Sequence, residues 1–113
     1  MAFEQLSKKE QRIILQCMTA ILEGTYIDNA EFQTRLGIDR TEMQEVIGSW
    51  PNLNDTDQTS NTSLAINNCM NEVCNGIEIS GHKWRDWFDV SKEEVESLYL
   101  KWVRLMGYSS RGI

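Results

Sequence analysis

The side chains that carry most enzyme chemistry are few in this sequence and poorly spaced for it. His82 is the only histidine, so neither a histidine-based metal site nor a pair of imidazoles acting as acid and base is available. Cys69 and Cys74 lack the spacing of zinc ligands, and no glycine-rich phosphate loop occurs. We therefore expect no enzyme activity, no metal site and no cofactor.

The carboxylates are unevenly distributed along the chain. The formal net charge is −6, yet no lysine or arginine occurs from Thr41 to Gly81, which we call the cation-free segment. A field of this sign repels phosphate backbones and anionic membranes and attracts basic proteins. On charge alone, an acidic surface that serves only solubility is an equally good interpretation. The acidic residues of the segment are Glu42, Glu45, Asp55, Asp57, Glu72 and Glu78.

Asparagine is concentrated on the polar side of one predicted helix, although it is a poor helix former. These side chains either hydrogen-bond within the fold or form an uncharged strip that suits the rim of a protein interface. Both interpretations stay open at this point. The four residues are Asn67, Asn68, Asn71 and Asn75.

Four tryptophans are a second unusual feature. Trp50 and Trp102 end apolar helical stripes, and we expect both to be structural. Trp84 and Trp87 cannot both share the core face of one short helix with Phe88. We expect Trp87 at the surface, where an exposed tryptophan is often a binding anchor.

The sequence of the predicted helices that position these residues contains an internal repeat. A shift of 52 residues aligns apolar positions with apolar positions from Ile14 to Trp50, and self-similarity at a fixed period indicates a duplicated supersecondary unit. The identical pairs are Ile14/Ile66, Cys17/Cys69, Met18/Met70, Gly24/Gly76, Ile27/Ile79, Glu42/Glu94 and Trp50/Trp102.

Helix boundaries are marked by capping signals and by glycine. Ser or Asp followed three residues later by Glu predicts a capping box at Ser7, Asp28, Asp39 and Ser91, and we expect Thr62 or Ser63, and Ser80, to cap the remaining two helices. Gly24 and Gly37 are predicted to end helices, Gly24 in the left-handed conformation. Apolar residues between these signals recur at spacings of three and four, which is typical of amphipathic helices.

The sequence therefore predicts an all-α fold of about six helices in two pseudo-symmetric three-helix halves. Residues 1–113 would form a single domain, with half one at about 7–50, a connector at 51–61, half two at about 62–106 and a frayed tail at 107–113. No secretory signal, membrane span or disulfide pattern is apparent, so we expect a cytoplasmic protein. Because a duplicated chain carries its own pseudo-dimer, we expect a monomer when unbound.

Helix, glycine-containing turn and helix between Phe32 and Trp50 also have the spacing of a helix-turn-helix motif. Its second helix would offer DNA a single cation, Arg40, against the carboxylates Glu42 and Glu45. Such a surface lacks the phosphate contacts that supply most non-specific DNA affinity. A helix-turn-helix transcriptional regulator that binds DNA is the first alternative, and a plain protein-interaction adaptor is the second.

Three stretches, Glu31–Gly37, Trp50–Pro51 and Leu64–Asn68, carry a family resemblance that extends from about residue 6 to residue 102. In them the chain resembles small acidic α-helical bacterial immunity proteins of contact-dependent inhibition and polymorphic toxin systems. The resemblance implies a cytoplasmic protein that binds and neutralises a cognate toxin domain, often a nuclease. An acidic surface suits the cationic cleft of a nuclease. The predicted contact residues are Glu42, Glu45, Asp55, Asp57, Asn68, Asn71, Glu72, Glu78 and Trp87.

Overall fold

The computed structural model describes residues 3–53 and 59–107, and all regular elements in these ranges are helical. The all-α prediction with six α-helices is therefore confirmed. A short 3-10 turn at Phe3–Gln5 precedes them, and a π-helical turn at Glu72–Gly76 continues the fourth. The helices are α1 Lys8–Glu23, α2 Asn29–Leu36, α3 Arg40–Gly48, α4 Asn61–Asn71, α5 Gly81–Trp87 and α6 Lys92–Met106.

Most helices begin at a side chain that accepts from an otherwise unpaired amide. Ser7 and Asp39 head full capping boxes, as the sequence predicts. Asp28 and Ser80 occupy N-cap positions without a side-chain hydrogen bond. The cap of α4 differs from the prediction, because Ser60 Oγ accepts from the Ser63 amide at 3.1 Å, so the helix begins at Asn61.

The helix ends separate two uses of glycine. Gly37 ends α2 with φ of 77°, in the left-handed region where glycine is favoured. Gly24 was expected to do the same after α1, and this prediction was wrong, because its φ of −73° and ψ of 159° are extended. Glycine is needed there for space: a Cβ on Gly24 would overlap the Tyr26 ring.

The core is centred on α1 and α4, which pack directly against each other. Around this pair the partners cross between the two parts of the chain: α2 packs on α4, and α5 packs on α1. α3 packs on both central helices, and α6 packs on α4 and the π-helical turn. Trp102 is fully buried, as predicted, whereas Trp50 is half-buried and meets Phe3 edge to face at 5.2 Å between ring centroids.

Two of the three pairs of matching helices keep the sequence offset of 52 at their starts, whereas α1 and α4 begin at residues 8 and 61. α2 and α5 begin at residues 29 and 81, and α3 and α6 begin at residues 40 and 92. Pro51 and Asn52, at the start of the predicted exposed connector, are exposed, whereas Leu53 is buried in the core. Connector residues 54–58, and the predicted frayed tail from 108 onward, lie outside the described residues.

No helix within residues 3–53 and 59–107 is long and apolar enough to cross a bilayer. Over the same residues, no group of three or more His, Cys, Asp or Glu side chains is placed to hold a metal ion.

Candidate protein-interaction surface

The two predicted contact residues on α3 have different surroundings. Glu42 is half-buried and occupied: its Oε1 accepts from the Asp39 amide at 2.9 Å, and its Oε2 accepts from Asn61 Nδ2 at 3.1 Å. Glu45, one helical turn further, is exposed and forms no ion pair with any described residue. Glu42 thus joins α3 to the start of α4, and Glu45 is the α3 carboxylate that stays available to a partner.

Glu72 was predicted at the contact surface, and this prediction was wrong. Its side chain is buried and is held by Arg35 of α2 through a two-pronged pair, in which Arg35 Nε lies 3.3 Å from Oε2 and Nη2 donates to Oε1. The hydrogen bond to Glu72 raises the pKa of the Arg35 guanidinium. A buried carboxylate needs such a partner because its desolvation is otherwise too costly.

Glu72 begins the π-helical turn, and its own amide still bonds to the Asn68 carbonyl in the α-helical pattern, which places its side chain one turn after the buried Cys69. The π-helical turn closes with a hydrogen bond from the Ile77 amide to the Glu72 carbonyl at 2.8 Å, which adds one residue per turn relative to an α-helix. Gly76 lies against the pair, and a Cβ there would overlap the Glu72 carboxylate. The sequence did contain a signal: the residue 52 positions earlier is Ala20, which is fully buried.

The asparagines serve mostly the fold. Asn68 Nδ2 donates to the Leu36 carbonyl at 2.8 Å, so it holds the end of α2 on α4. Asn67 Nδ2 donates in turn to Asn68 Oδ1 at 3.1 Å. Asn71 and Asn75 bond to each other nearer the surface, at 3.0 Å. Asn68 therefore hydrogen-bonds within the fold. Among these asparagines, a partner-binding role remains a prediction only for Asn71 and Asn75.

Trp87 was predicted to be exposed, and this prediction was also wrong. The side chain is half-buried, and its indole Nε1 donates to the Tyr26 hydroxyl at 3.0 Å, which ties α5 to the loop after α1. Trp84 is half-buried as well, with Nε1 donating to the Val90 carbonyl at 2.7 Å. Among the described residues, the exposed large hydrophobic side chain is Leu100, at 43%.

Three further acidic residues were predicted at the contact surface besides Glu42, Glu45 and Glu72. Glu78, just after the π-helical turn, is exposed and has no ion-pair partner among the described residues. Asp55 and Asp57 lie outside the described residues. Among the described members of the predicted acidic set, Glu45 and Glu78 are thus the exposed and unpaired ones.

Three carboxylates outside the cation-free segment are paired across the seam between α1 and the second half. Lys101 Nζ lies 2.9 Å from Glu10 Oε2, Arg12 lies 3.0 Å from Asp89, and Lys9 lies 3.2 Å from Glu94. A side-chain hydrogen bond from Gln16 lowers the pKa of Asp89, and the charge of Arg12 lowers it further. These pairs tie α1 to the second half of the chain.

Arg40, the cation that a helix-turn-helix reading would offer to DNA, is engaged inside the fold. Its guanidinium donates to the Leu22 carbonyl at 2.8 Å and to the Ile27 carbonyl at 3.0 Å. It also lies over the Phe32 ring, 4.3 Å from the centroid. α3 contains no other lysine or arginine, so this arrangement disfavours the DNA-binding alternative.

The thiols are structural in their surroundings. Cys17, Cys69 and Cys74 are free and buried, and burial raises the pKa of all three, that of Cys74 to about 11. Cys69 Sγ also lies 3.8 Å from Met43 Sδ. Thiols in this state are poor nucleophiles at neutral pH.

Comparison with protein-family models finds no match to this chain. Comparisons with curated proteins and with solved structures find no significant match either. The case for a function therefore rests on the charges and contacts of this chain itself.

Proposed function

We propose that this chain is an inhibitory binding protein of the immunity type, which neutralises a cognate toxin domain by covering a basic surface on it. The expected partner is a cationic nuclease domain. The proposal rests on the family resemblance in residues 6–102 and on the charge arrangement of the folded chain. It involves no catalysis, no cofactor and no nucleic acid bound by the chain itself.

One observation carries the proposal: the exposed carboxylates of the cation-free segment have no counter-ion among the described residues. Glu45 and Glu78 form no ion pair, and Arg35 and Arg40, the last cations before the segment, are engaged with Glu72 and with backbone carbonyls. Free surface carboxylates contribute little to folding. They do create a negative field that steers a basic partner and speeds its association.

We also propose that the fold arose by doubling an ancestral three-helix unit, with half one at about 7–50 and half two at about 62–106. The matched starts of α2 and α5, and of α3 and α6, support this proposal. The exchange of packing partners, in which α2 packs on α4 and α5 packs on α1, supports it as well. Such an exchange is expected when two copies of one unit pack about a pseudo-twofold axis.

The proposed function is tested by co-expression. The toxin domain encoded by the adjacent reading frame is induced in bacteria together with this chain, and growth is measured. We expect the unaltered chain to restore growth and the double variant Glu45→Lys/Glu78→Lys to lose most of this protection. The matched control is Glu4→Lys/Glu93→Lys, which changes the charge equally at exposed carboxylates outside the segment.

Equal protection by both double variants would remove the electrostatic part of the proposal. No protection by the unaltered chain would remove the proposed function. A gel shift with the neighbouring operator DNA at low salt tests the main alternative, because a transcriptional regulator should bind that DNA and an immunity protein should not.

A further inference from the structure

A groove of about 560 Å³ opens between α5 and the start of α6. Neither Glu45 nor Glu78 lines it. The floor of the groove is apolar: Trp84 and Phe88 stack with ring centroids 4.2 Å apart, and Val90 lies beside them. Phe88 and Val90 are buried, and Trp84 is half-buried, so the floor is continuous with the core. Arg85 and Lys92 lie at the rim.

The first half of the chain shows why the groove is open. Fifty-two residues before Trp84 and Lys92 stand Phe32 and Arg40, and there the Arg40 guanidinium covers the Phe32 ring and also donates to Asn29 Oδ1 at 2.6 Å. The residue matching Asn29 is Gly81, which has no side chain that could accept a hydrogen bond from Lys92. The corresponding place over Trp84 is thus left as a groove, with Lys92 exposed at its edge.

The charges at the rim are not balanced. Asp89 is paired with Arg12, and Glu94 is paired with Lys9. Arg85 and Lys92 are exposed and form no ion pair among the described residues. An otherwise acidic protein therefore presents an apolar floor bordered by two free cations.

From this arrangement we propose that the groove is a docking site for a segment of a partner polypeptide that carries an apolar side chain beside carboxylates. The apolar side chain rests on the Trp84–Phe88 stack, and the carboxylates pair with Arg85 and Lys92. The open shape suits an extended segment better than an enclosed small molecule. A basic segment is disfavoured because both free rim charges would repel it.

This docking site is independent of the proposed toxin-binding function, since it uses the side chains of Trp84, Arg85 and Lys92 instead of the free carboxylates, and the opposite charge. The two ideas fail separately: substitutions in the groove should leave protection from the toxin unchanged, and Glu45→Lys/Glu78→Lys should leave groove binding unchanged.

The test is a nuclear magnetic resonance titration of the full chain with the peptide Glu-Glu-Leu-Phe-Glu-Glu, amidated and acetylated at its ends. We expect the Trp84 indole signal and the amides around Gly81 and Ser91 to shift with saturable binding. Arg85→Glu/Lys92→Glu should weaken binding about tenfold or more, because two attractive rim contacts become repulsive. The charge-matched control Lys8→Glu/Lys83→Glu, outside the groove, should change affinity by less than about twofold.

Two comparison ligands make the outcome decisive. The peptide Lys-Lys-Leu-Phe-Lys-Lys should leave the groove signals unshifted, and 4-phenylbutyrate should bind far more weakly than the acidic peptide. The proposal is overturned by an absence of groove shifts at millimolar acidic peptide, by groove shifts with the basic peptide, or by unchanged affinity in Arg85→Glu/Lys92→Glu. Equally tight binding of 4-phenylbutyrate would overturn the polypeptide assignment and indicate a site for small organic anions.

Discussion

The Glu10 carboxylate joins two helices. It accepts from the Ser7 amide at 2.8 Å within the cap of α1, and it lies 2.9 and 3.0 Å from Lys101 Nζ of α6. The hydrogen bond from the Ser7 backbone lowers the pKa of Glu10, and the contact with Lys101 lowers it further against the opposing effect of burial. A carboxylate with a lowered pKa in the folded state stabilises the fold only while it is ionised.

We therefore predict that Glu10→Gln destabilises the protein at neutral pH by about 1 kcal/mol, the usual scale of a capping interaction. Because the folded pKa lies below the ordinary value of 4.5, this difference should be full above that pH and fade as the pH falls through the folded pKa. Urea midpoints measured between about pH 7 and about pH 3 test it. Glu45→Gln, at an exposed and unpaired carboxylate, should show no such trend, and a pH-independent loss in Glu10→Gln would contradict the linkage.

Residues of this kind are predictable from sequence when their partners are close along the chain. The capping boxes predicted from a spacing of three are confirmed at Ser7 and Asp39, whereas Ser91 makes only the cap hydrogen bond and Asp28 makes none. The candidate site fared less well, since Glu72 and Asn68 turned out to have partners 37 and 32 residues away. No local pattern reveals a partner at such a distance. An indirect sign of burial is needed, such as the small apolar residue Ala20 that stands 52 positions before Glu72.

Among the elements, α2 depends on polar contacts with the other half to an unusual extent for its length. Its last turn is held by Asn68, whose Nδ2 donates to the Leu36 carbonyl, and by the Arg35–Glu72 pair. Glu72 is the buried member of that pair, with 9% of its side chain exposed against 29% for Arg35. Removing Arg35 should consequently cost more than removing the charge of Glu72.

We predict that Arg35→Ala lowers the free energy of unfolding by about 3 kcal/mol, because it leaves a buried carboxylate without a partner. Glu72→Gln should cost about 1 to 2 kcal/mol, since the amide can still accept from Arg35 and the freed guanidinium can reach water. The double variant closes a thermodynamic cycle whose coupling free energy should be about 1 kcal/mol or more. Urea unfolding followed by circular dichroism measures all four proteins, and additive losses would show that the pair does not stabilise the fold.

The π-helical turn is the element that the sequence pattern did not reveal. Apolar residues at spacings of three and four predicted a regular helix, and the number of helices and most of their starts are correct. A π turn shifts the inward face of the residues that follow it, whereas Glu72 precedes the shift and lies three residues after the buried Cys69, on the side that a 3.6-residue period turns inward. The atoms nearest to Gly76 are those of the Glu72 carboxylate, which Arg35 of α2 holds in place, and periodicity cannot show that distant partner.

For the whole molecule, the exchange of packing partners means that each half completes its core with a helix of the other half. α2 buries its apolar side against α4, and α5 packs on α1. Small units with so little buried surface are marginal when alone.

Accordingly, fragments 1–55 and 56–113 should each show little cooperative unfolding alone. Mixed at equal concentrations, they should regain the helical circular dichroism and a cooperative transition, now dependent on concentration. A mixture of fragment 1–55 with a scrambled version of fragment 56–113 is the control. A fragment that folds cooperatively by itself, or a mixture without added helicity, would contradict this account of the core.

The net charge of −6 bears on partners at the same scale, because Glu45 and Glu78 are exposed and form no ion pair among the described residues. Long-range attraction of this type acts mainly on the association rate and is screened by salt. The free carboxylates are therefore expected to control how fast a basic partner binds more than how slowly it leaves.

The most direct measurement is the association rate constant between this chain and the purified toxin domain of the adjacent reading frame, followed by stopped-flow fluorescence at rising ionic strength. We predict fast association that falls steeply with added salt, and a rate about tenfold lower with a shallower salt dependence for Glu45→Lys/Glu78→Lys. Glu4→Lys/Glu93→Lys should stay close to the unaltered chain. An association rate and salt dependence that are the same in all three proteins would contradict the central claim that the free carboxylates of the cation-free segment receive a basic protein.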